Sequence, residues 1–129
     1  MIIIFSYFIY MTLAAIGITS GYHRYFAHKE FKATQWQEII MLYCGLLCGG
    51  RSVLGWVGVH RMHHAYADTE LDPHSPKYQP RWRVLFSAWK VDTIPRKYII
   101  DMMRNKKVMF FHKYGTYIFV THQIIFFLL

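Results

Sequence analysis

The sequence is poor in cysteine, in acidic residues and, over its first 22 positions, in charge of any kind. Its two cysteines, Cys44 and Cys48, lie in an apolar run, and no second pair follows at the spacing of a zinc finger. We interpret them as buried free thiols, and nothing indicates a disulfide framework or an oxidising compartment. With 129 residues, the chain has room for one small domain at most.

Because acidic residues are few, the basic residues are left in excess. Seven acidic residues stand against 15 lysines and arginines, so the formal net charge is +8. A basic balance is typical of proteins that bind nucleic acid or anionic membrane surfaces. The sequence has no nucleic-acid-binding motif, and its charges are separated from long apolar ends. These features favour membrane lipids, and not nucleic acid, as the partner of the basic surface.

Both ends of the sequence predict membrane-spanning helices. Residues 1–22 carry no charge and are long enough to cross a bilayer core of about 30 Å. They lack the basic start and the short apolar stretch of a cleaved signal peptide. Residues 108–129 predict a second spanning helix, because the 16 residues from Tyr114 onward carry no formal charge. This last segment is still apolar where it stops, so we expect that the sequence is cut short.

The basic part of the sequence lies between these ends. Fourteen of the 15 lysines and arginines fall between residues 24 and 107, and none precedes residue 24. By the positive-inside rule, residues 23–107 are expected on the cytoplasmic side and the N-terminus outside. The apolar run 39–50 is only 12 residues long, so it is predicted to pack on the membrane face or in the core, and Gly49 and Gly50 are expected to end or kink it. The sequence therefore predicts an all-α integral membrane protein with about two transmembrane helices and a cytoplasmic helical region.

Histidine, in contrast, is concentrated: five of the eight histidines lie in two short segments. His60, His63 and His64 follow the spacing i, i+3, i+4, so on a helix that advances about 100° per residue they share one face. Convergent imidazoles suit a metal site. His23 and His28 are about 140° apart on an ideal helix. They converge only if the helix ends or loosens between them, or if they flank a two-metal site.

Three further polar residues follow the second histidine segment in a stretch interrupted by prolines: Asp68, Asp72 and His74. The most useful role for the two aspartates is to accept the second ring N–H of a metal-binding histidine. Turn formation and helix capping are equally good alternatives for both. His74 is interpreted as a hydrogen-bonding partner and not as a metal ligand.

Two stretches resemble the first and second histidine boxes of the membrane fatty acid desaturases of the acyl-lipid and acyl-CoA delta-9 type: GYHRYFAHKEFK and VHRMHHAYADTELDPHSP. The resemblance covers about residues 10–120. It implies a non-haem di-iron centre that uses dioxygen to remove two hydrogens from a fatty acyl chain bound as a lipid or thioester. It also implies an electron donor such as ferredoxin or cytochrome b5. The iron ligands that it implies are His23, His28, His60, His63 and His64.

Two features depart from the pattern of that family. A third histidine box, another HxxHH, is absent from the 129 residues, so the sequence is interpreted as part of a desaturase domain. Val59 stands where acyl-CoA desaturases usually carry an acidic residue, just before the second box. This difference favours a lipid-bound or carrier-bound acyl group over a CoA thioester.

A second class of function stays open at this point. A non-catalytic, histidine-rich membrane protein that binds zinc or another divalent ion would also place imidazoles together. Hydroxylases and ketolases share the metal chemistry of the desaturases and are near neighbours of the first class. Stoichiometric iron would favour the oxidoreductase, whereas zinc alone without oxygen reactivity would favour the metal-binding protein.

Five imidazoles supply too few ligands for two iron ions with six-coordinate preferences. We therefore expect residues 1–129, expressed alone in a desaturase-deficient host, to insert in membranes, to bind iron weakly and to form no new double bond. Acyl-chain analysis of the host lipids measures this outcome, and co-expression with a downstream half that contains HxxHH is the complementary experiment. A double bond formed by residues 1–129 alone would contradict the expectation.

Overall fold

The computed structural model describes residues 1–86 and 91–128, apart from the side chains of Ile2 and Phe127. These residues form helices and connecting segments without a strand, so the all-α prediction is confirmed for them. Residues 87–90 of the predicted cytoplasmic region, and Leu129 at the end of the second predicted span, lie outside the described residues.

Six α-helices follow one another along the described chain. Helix α1 (Ile2–Ala14) runs directly into a π-helical segment (Ala15–Ala27). Helix α2 (Gln35–Gly45) runs into a short π-helical turn (Leu46–Gly50), and α3 (Val53–Tyr66) follows. After an irregular stretch come α4 (Arg81–Leu85), a 3-10 turn (Arg96–Tyr98), α5 (Ile100–Met103) and α6 (Lys106–Leu128).

Among the described residues, one helix is long and apolar enough to cross a membrane, Ile3–Ala27. It extends beyond the predicted span of residues 1–22, so this candidate span itself carries the start of the first histidine segment. Its large apolar side chains are more than half exposed near the N-terminus, as for Phe5 and Phe8, which suits contact with lipid. Helix α2 with its π-helical turn passes the same test only together with α3, across a bend of 77°.

Helix α6 has 23 residues and is therefore about 35 Å long, enough to cross a bilayer core. It is not among the described helices that are apolar enough to count as candidate spans. The reason is its polar content, which includes His112, Lys113, His122 and Gln123. The crossing of a membrane by residues 108–129 stays a prediction.

The bend between α2 and α3 has a local cause in the backbone. Gly49 has a φ of 89°, a conformation that side chains rarely allow, and Arg51 follows with a φ of 53°. The buried hydroxyl of Tyr22 donates a hydrogen bond to the carbonyl of Arg51 at 3.1 Å and holds the corner in place. The expectation that Gly49 and Gly50 end or kink the helix is confirmed.

Glycine lets the π-helical segment and α2 approach each other closely. A Cβ atom placed on Gly17 would lie 2.0 Å from the backbone nitrogen of Gly45, and one on Gly21 would lie 2.8 Å from the Cβ of Met41. The sequence leaves open whether Gly17 and Gly21 admit a neighbouring helix or are small residues that face lipid, and the structure shows the close helix approach. The core that forms around this crossing consists of Tyr22, Phe26, Leu42, Val53, Leu54, Val57, Met102 and Val108.

The close crossing predicts a sharp difference between two Gly→Ala variants. Gly17→Ala places a methyl group against the backbone of α2, which cannot move aside, so we expect the free energy of unfolding to fall by about 1–3 kcal/mol. Gly55→Ala in α3 is the control, because among the described residues its methyl group meets only the Cβ of Ser52, at 4.0 Å. The control should be neutral or up to about 1 kcal/mol more stable, since alanine favours helix. Thermal unfolding in detergent measures both, and equal melting of Gly17→Ala and wild type would contradict the crossing.

Candidate metal centre

The first histidine pair lies at the end of the π-helical segment Ala15–Ala27. The backbone N–H of His28 donates a hydrogen bond to the carbonyl oxygen of His23 at 3.1 Å, which is an i→i+5 bond. This winding stacks residues five apart on one side of the helix. The two imidazole rings consequently lie 4.7 Å apart between centroids. The sequence left two explanations for how His23 and His28 could converge. The structure shows the first of them, a helix that is more loosely wound between the two residues.

The second pair lies on α3, where ordinary α-helical winding is sufficient. His60 and His64 are one turn apart, with their rings 4.5 Å apart between centroids. One turn earlier, the indole ring of Trp56 stacks on His60 at 5.0 Å with an interplanar angle of 21°. Helix α3 thus presents a column of three rings, of which the indole fixes the orientation of the first imidazole.

Four imidazoles from the two segments converge. One ring nitrogen from each of His23, His28, His60 and His64 lies within 4.8 Å of the others. The Nε2 of His60 is 3.0 Å from the Nε2 of His28 and 3.1 Å from the Nε2 of His64. With metal–nitrogen bonds of about 2.1 Å, two ligands at right angles are about 3 Å apart. These separations match the edges of one coordination polyhedron.

Hydrogen bonds between the imidazoles do not account for both short distances at His60. A neutral imidazole Nε2 carries either one proton or one lone pair, so the Nε2 of His60 forms a good hydrogen bond with only one of its two neighbours. A cation removes the conflict, because each of the three nitrogens then gives its lone pair to the cation. The residues present therefore fit a metal ion that prefers imidazole, a group that includes iron, zinc, copper and nickel.

His63 lies outside this four-imidazole cluster and is held separately. Its Nδ1 is 2.8 Å from the Oδ1 of Asp72, a carboxylate that is fully buried. When the proton is on Nδ1 and bonded to a carboxylate, the lone pair of Nε2 is available to a metal. The ligand role of His63 stays a prediction, and the geometry of Asp72 is that of a residue that orients it.

The other residues predicted to support the site lie around Asp72. The exposed Asp68 gives its backbone N–H to the Oδ2 of Asp72 at 3.2 Å and adopts a φ of 61° in the turn. His74 donates its own backbone N–H to the Oδ1 of Asp72 at 2.9 Å, and its ring lies 5.6 Å from the ring of His63. The structure thus places Asp68 in the turn and His74 beside His63, and brings neither into the four-imidazole cluster.

The charge states of the site suit metal binding. Burial, together with the nearby imidazoles of His64 and His23, lowers the pKa of His60 to about 3. Burial alone would raise the pKa of Asp72, but hydrogen bonds from His63 and from two backbone N–H groups outweigh it and hold that pKa below its ordinary value. A neutral imidazole and an ionised carboxylate are the forms that a metal site requires.

A cavity of about 510 Å³, lined by both polar and apolar residues, opens beside Trp56, the residue that stacks on His60. Sequence reasoning assigned no function to Trp56, although it lies four residues before His60 and so on the same helix face. The cavity extends from α3 to the N-terminal helix Ile3–Ala27 and is within the usual size range of small-molecule sites. Its lining includes Tyr10, Ile18, Trp56, Val59, Phe86 and Ile94.

Comparison with known proteins identifies the family. The fatty acid desaturase family model matches residues 1–129. Delta-9 acyl-lipid desaturase 2 of Arabidopsis thaliana is 46% identical over 70 residues, which are 54% of this chain and 23% of that protein. The sn-1 stearoyl-lipid 9-desaturase of Synechocystis sp. is 38% identical over 92 residues (71% and 28%), and that of Anabaena variabilis is 31% identical over 115 residues (85% and 42%). No solved structure matches the chain significantly.

The chain spans between 23% and 42% of the length of these three relatives. The family match, in contrast, extends over all 129 residues and includes both histidine segments that form the four-imidazole cluster. The chain belongs to the fatty acid desaturase family.

Proposed function

We propose that the protein is an oxygen-dependent fatty acyl desaturase in which residues 1–129 supply two of the histidine segments of a non-haem di-iron centre. The observation that carries this proposal is the convergence of four imidazole nitrogens within 4.8 Å of one another. Membership of the desaturase family adds the type of reaction. The names of the relatives add the class of substrate, an acyl chain bound in a lipid and desaturated at the ninth carbon.

The residues of this chain have separate roles in the proposal. His23, His28, His60 and His64 hold one iron ion, and His63, oriented by Asp72, contributes to the second. Bound iron supplies the activation of dioxygen that lets two hydrogens leave an unactivated acyl chain. A separate carrier such as ferredoxin or cytochrome b5 provides two electrons per turnover; these electrons, two protons and the two hydrogens taken from the acyl chain together reduce dioxygen to two molecules of water.

The protein must also hold the acyl chain and keep water from the reacting carbons. The cavity beside Trp56 suits this role, because aliphatic and aromatic side chains such as Ile18, Val59 and Ile94 form part of its lining and it extends from α3 to Tyr10 on the N-terminal helix. The indole of Trp56 stacks between this cavity and His60. An acyl chain in the cavity would therefore lie next to the metal centre, with its end directed along the spanning helix.

Helix α4 supports contact with membrane lipids. Its arginine Arg81 and its apolar residues Trp82 and Leu85 are exposed, and the adjoining Phe86 is 77% exposed. Arginine and tryptophan together are typical of the level of the lipid headgroups. We infer that α4 lies on the membrane surface near the mouth of the cavity, which Leu85 and Phe86 also line.

The test of the proposed activity is a chimera with a relative of known name. Residues of this chain replace the matched 92-residue region of the sn-1 stearoyl-lipid 9-desaturase of Synechocystis sp., and the chimera is expressed in a desaturase-deficient host. We expect new double bonds in the host lipids. His60→Ala should abolish them, because loss of one ligand normally disrupts the metal site. A chimera that accumulates and retains iron but forms no double bond would contradict the proposal.

A matched histidine control is available on α6. The ring of His122 lies 6.3 Å from that of Tyr43 and is not part of the four-imidazole cluster. His122→Gln, in a chimera whose exchanged region is extended to include α6, should therefore keep both iron and activity. If His122→Gln and His60→Ala lost activity to the same degree, the loss would report on folding and not on metal ligation.

The second candidate, a non-catalytic protein that binds a divalent metal, rests on the same cluster, since four nitrogen ligands also suit tetrahedral zinc. Family membership favours the first candidate. Metal analysis of the purified chimera separates the two: iron in stoichiometric amount supports the desaturase, and zinc alone without oxygen consumption supports the second candidate.

We further propose that residues 24–107 lie in the cytoplasm and that the N-terminus lies outside. The charge distribution supports this orientation, because 14 of 15 lysines and arginines fall in this range. Cysteine-accessibility labelling tests it, with Cys44 and Cys48 first replaced by serine. A cysteine at Lys77 should react only from the cytoplasm, and one next to Met1 only from outside. Labelling of both from the same side would contradict this orientation.

A further inference from the structure

The side chain of Arg61 connects the two histidine segments. Arg61 lies between His60 and His63 in sequence, but its side chain is only 18% exposed and makes five hydrogen bonds away from the cluster. It donates to the carbonyl oxygens of Phe26 at 2.6 Å, Ala27 at 3.1 Å and Tyr98 at 2.7 Å. It also donates to both carboxylate oxygens of Asp101, at 2.8 and 3.1 Å.

Two of these acceptors end the helix that carries the first histidine pair. Phe26 and Ala27 are the last residues of the π-helical segment, and the chain turns away at Lys29 with a φ of 57°. The last carbonyl groups of a helix have no partner within the helix and carry its negative dipole end. The guanidinium of Arg61 therefore caps the helix of His23 and His28 from the neighbouring helix α3.

The remaining hydrogen bonds fix the guanidinium itself. Asp101 on α5 accepts two parallel N–H bonds, the geometry for which arginine is suited and lysine is not. Asp101 also pairs with the Nζ of Lys29 at 2.7 Å, although Lys29 is 66% exposed. Burial would raise the pKa of Asp101, but the hydrogen bonds from Arg61 and Lys29 hold it well below its ordinary value, so the carboxylate stays ionised.

We propose that Arg61 is a positioning residue that sets the separation of the two histidine segments and so the geometry of the four-imidazole cluster. The residue next to Arg61 is His60, and the carbonyl of Ala27 to which it donates belongs to the residue before His28. The guanidinium thus joins the two chain positions whose Nε2 atoms lie 3.0 Å apart. This inference deepens the proposed metal centre and rests on it.

The test uses Co²⁺ as the probe, because its visible absorption spectrum reports coordination geometry as well as binding. Residues 1–129 are purified in detergent and titrated with Co²⁺. Arg61→Lys keeps the charge but loses the planar fork, so we expect weaker binding by about 10- to 100-fold, as for other residues that support metal ligands. We also expect an altered Co²⁺ spectrum with unchanged helical circular dichroism, which a merely structural role would not produce.

Two further variants make the result decisive. Arg24→Lys is the matched control, because the Nε of Arg24 bonds only the exposed Glu30, at 2.6 Å, among the described residues, and it should bind Co²⁺ as wild type does. Asp101→Asn removes the anchor of the guanidinium but leaves Arg61 in place, and it should give the same spectral change with a smaller loss of affinity. If Arg61→Lys loses its helical circular dichroism, it has not folded. The Co²⁺ spectrum and affinity of Asp101→Asn then test the role of Arg61.

The outcomes separate this inference from the metal centre on which it rests. Wild-type affinity and spectrum in Arg61→Lys and Asp101→Asn would overturn the role of Arg61 and leave the four-imidazole site standing. Absence of Co²⁺ binding by wild type, or equal binding by His60→Ala, would overturn the metal centre itself and the inference with it.

Discussion

The i→i+5 hydrogen bond from His28 to His23 is the interaction on which the rest of the site depends. With α-helical winding the two imidazoles would point about 140° apart, and the cluster would lose one of its four members. The π-helical winding is rare, and in most proteins it occurs only as single turns, frequently at functional sites. Here it extends over Ala15–Ala27. The π-helical segment must therefore be stabilised by contacts with the neighbouring helices.

Packing and capping stabilise the π-helical segment on two sides. Along its length, Gly17 and Gly21 bring α2 into contact with its backbone, and Tyr22 and Phe26 are buried between α2 and α3. Burial of each large apolar side chain contributes about 1.5–3 kcal/mol. At its end, the guanidinium of Arg61 satisfies carbonyl groups that the helix leaves without a partner. The same contacts bring α3 to the correct distance, so stability and site geometry have a common origin.

The parts of the site that the sequence predicted are those that depend on simple periodicity. His60 and His64 face the same way because four residues make one α-helical turn. The convergence of His23 with His28 depends on π-helical winding, and no residue pattern in that segment predicts such winding. His63 shares the helix face of His64 in projection, but its partner Asp72 comes from an irregular stretch whose path only the three-dimensional structure shows.

The fold was predictable to a similar extent. Among the described residues, the absence of strands, the long apolar N-terminal helix and the break at Gly49 all follow from composition and from the conformational freedom of glycine. The five hydrogen bonds of Arg61 do not follow from the sequence. Three of its four partner residues accept through their backbone carbonyl oxygens, and a backbone carbonyl has no sequence signature. The same applies to the approach of Gly17 to Gly45, because the sequence alone does not distinguish a glycine at a helix crossing from a small residue that faces lipid.

No loop separates the long apolar helix from the first of the proposed metal ligands, since His23 is part of the continuous helix Ile3–Ala27. In the proposed membrane arrangement, the height of the cluster relative to the lipid headgroups is therefore set by how this helix fits the thickness of the bilayer. A helix longer than the hydrocarbon core tilts, whereas a thicker bilayer lets it stand upright. Either change moves the cluster relative to the acyl chains around it. Bilayer thickness, which varies with lipid composition, thus becomes a physical variable that acts directly on the position of this site.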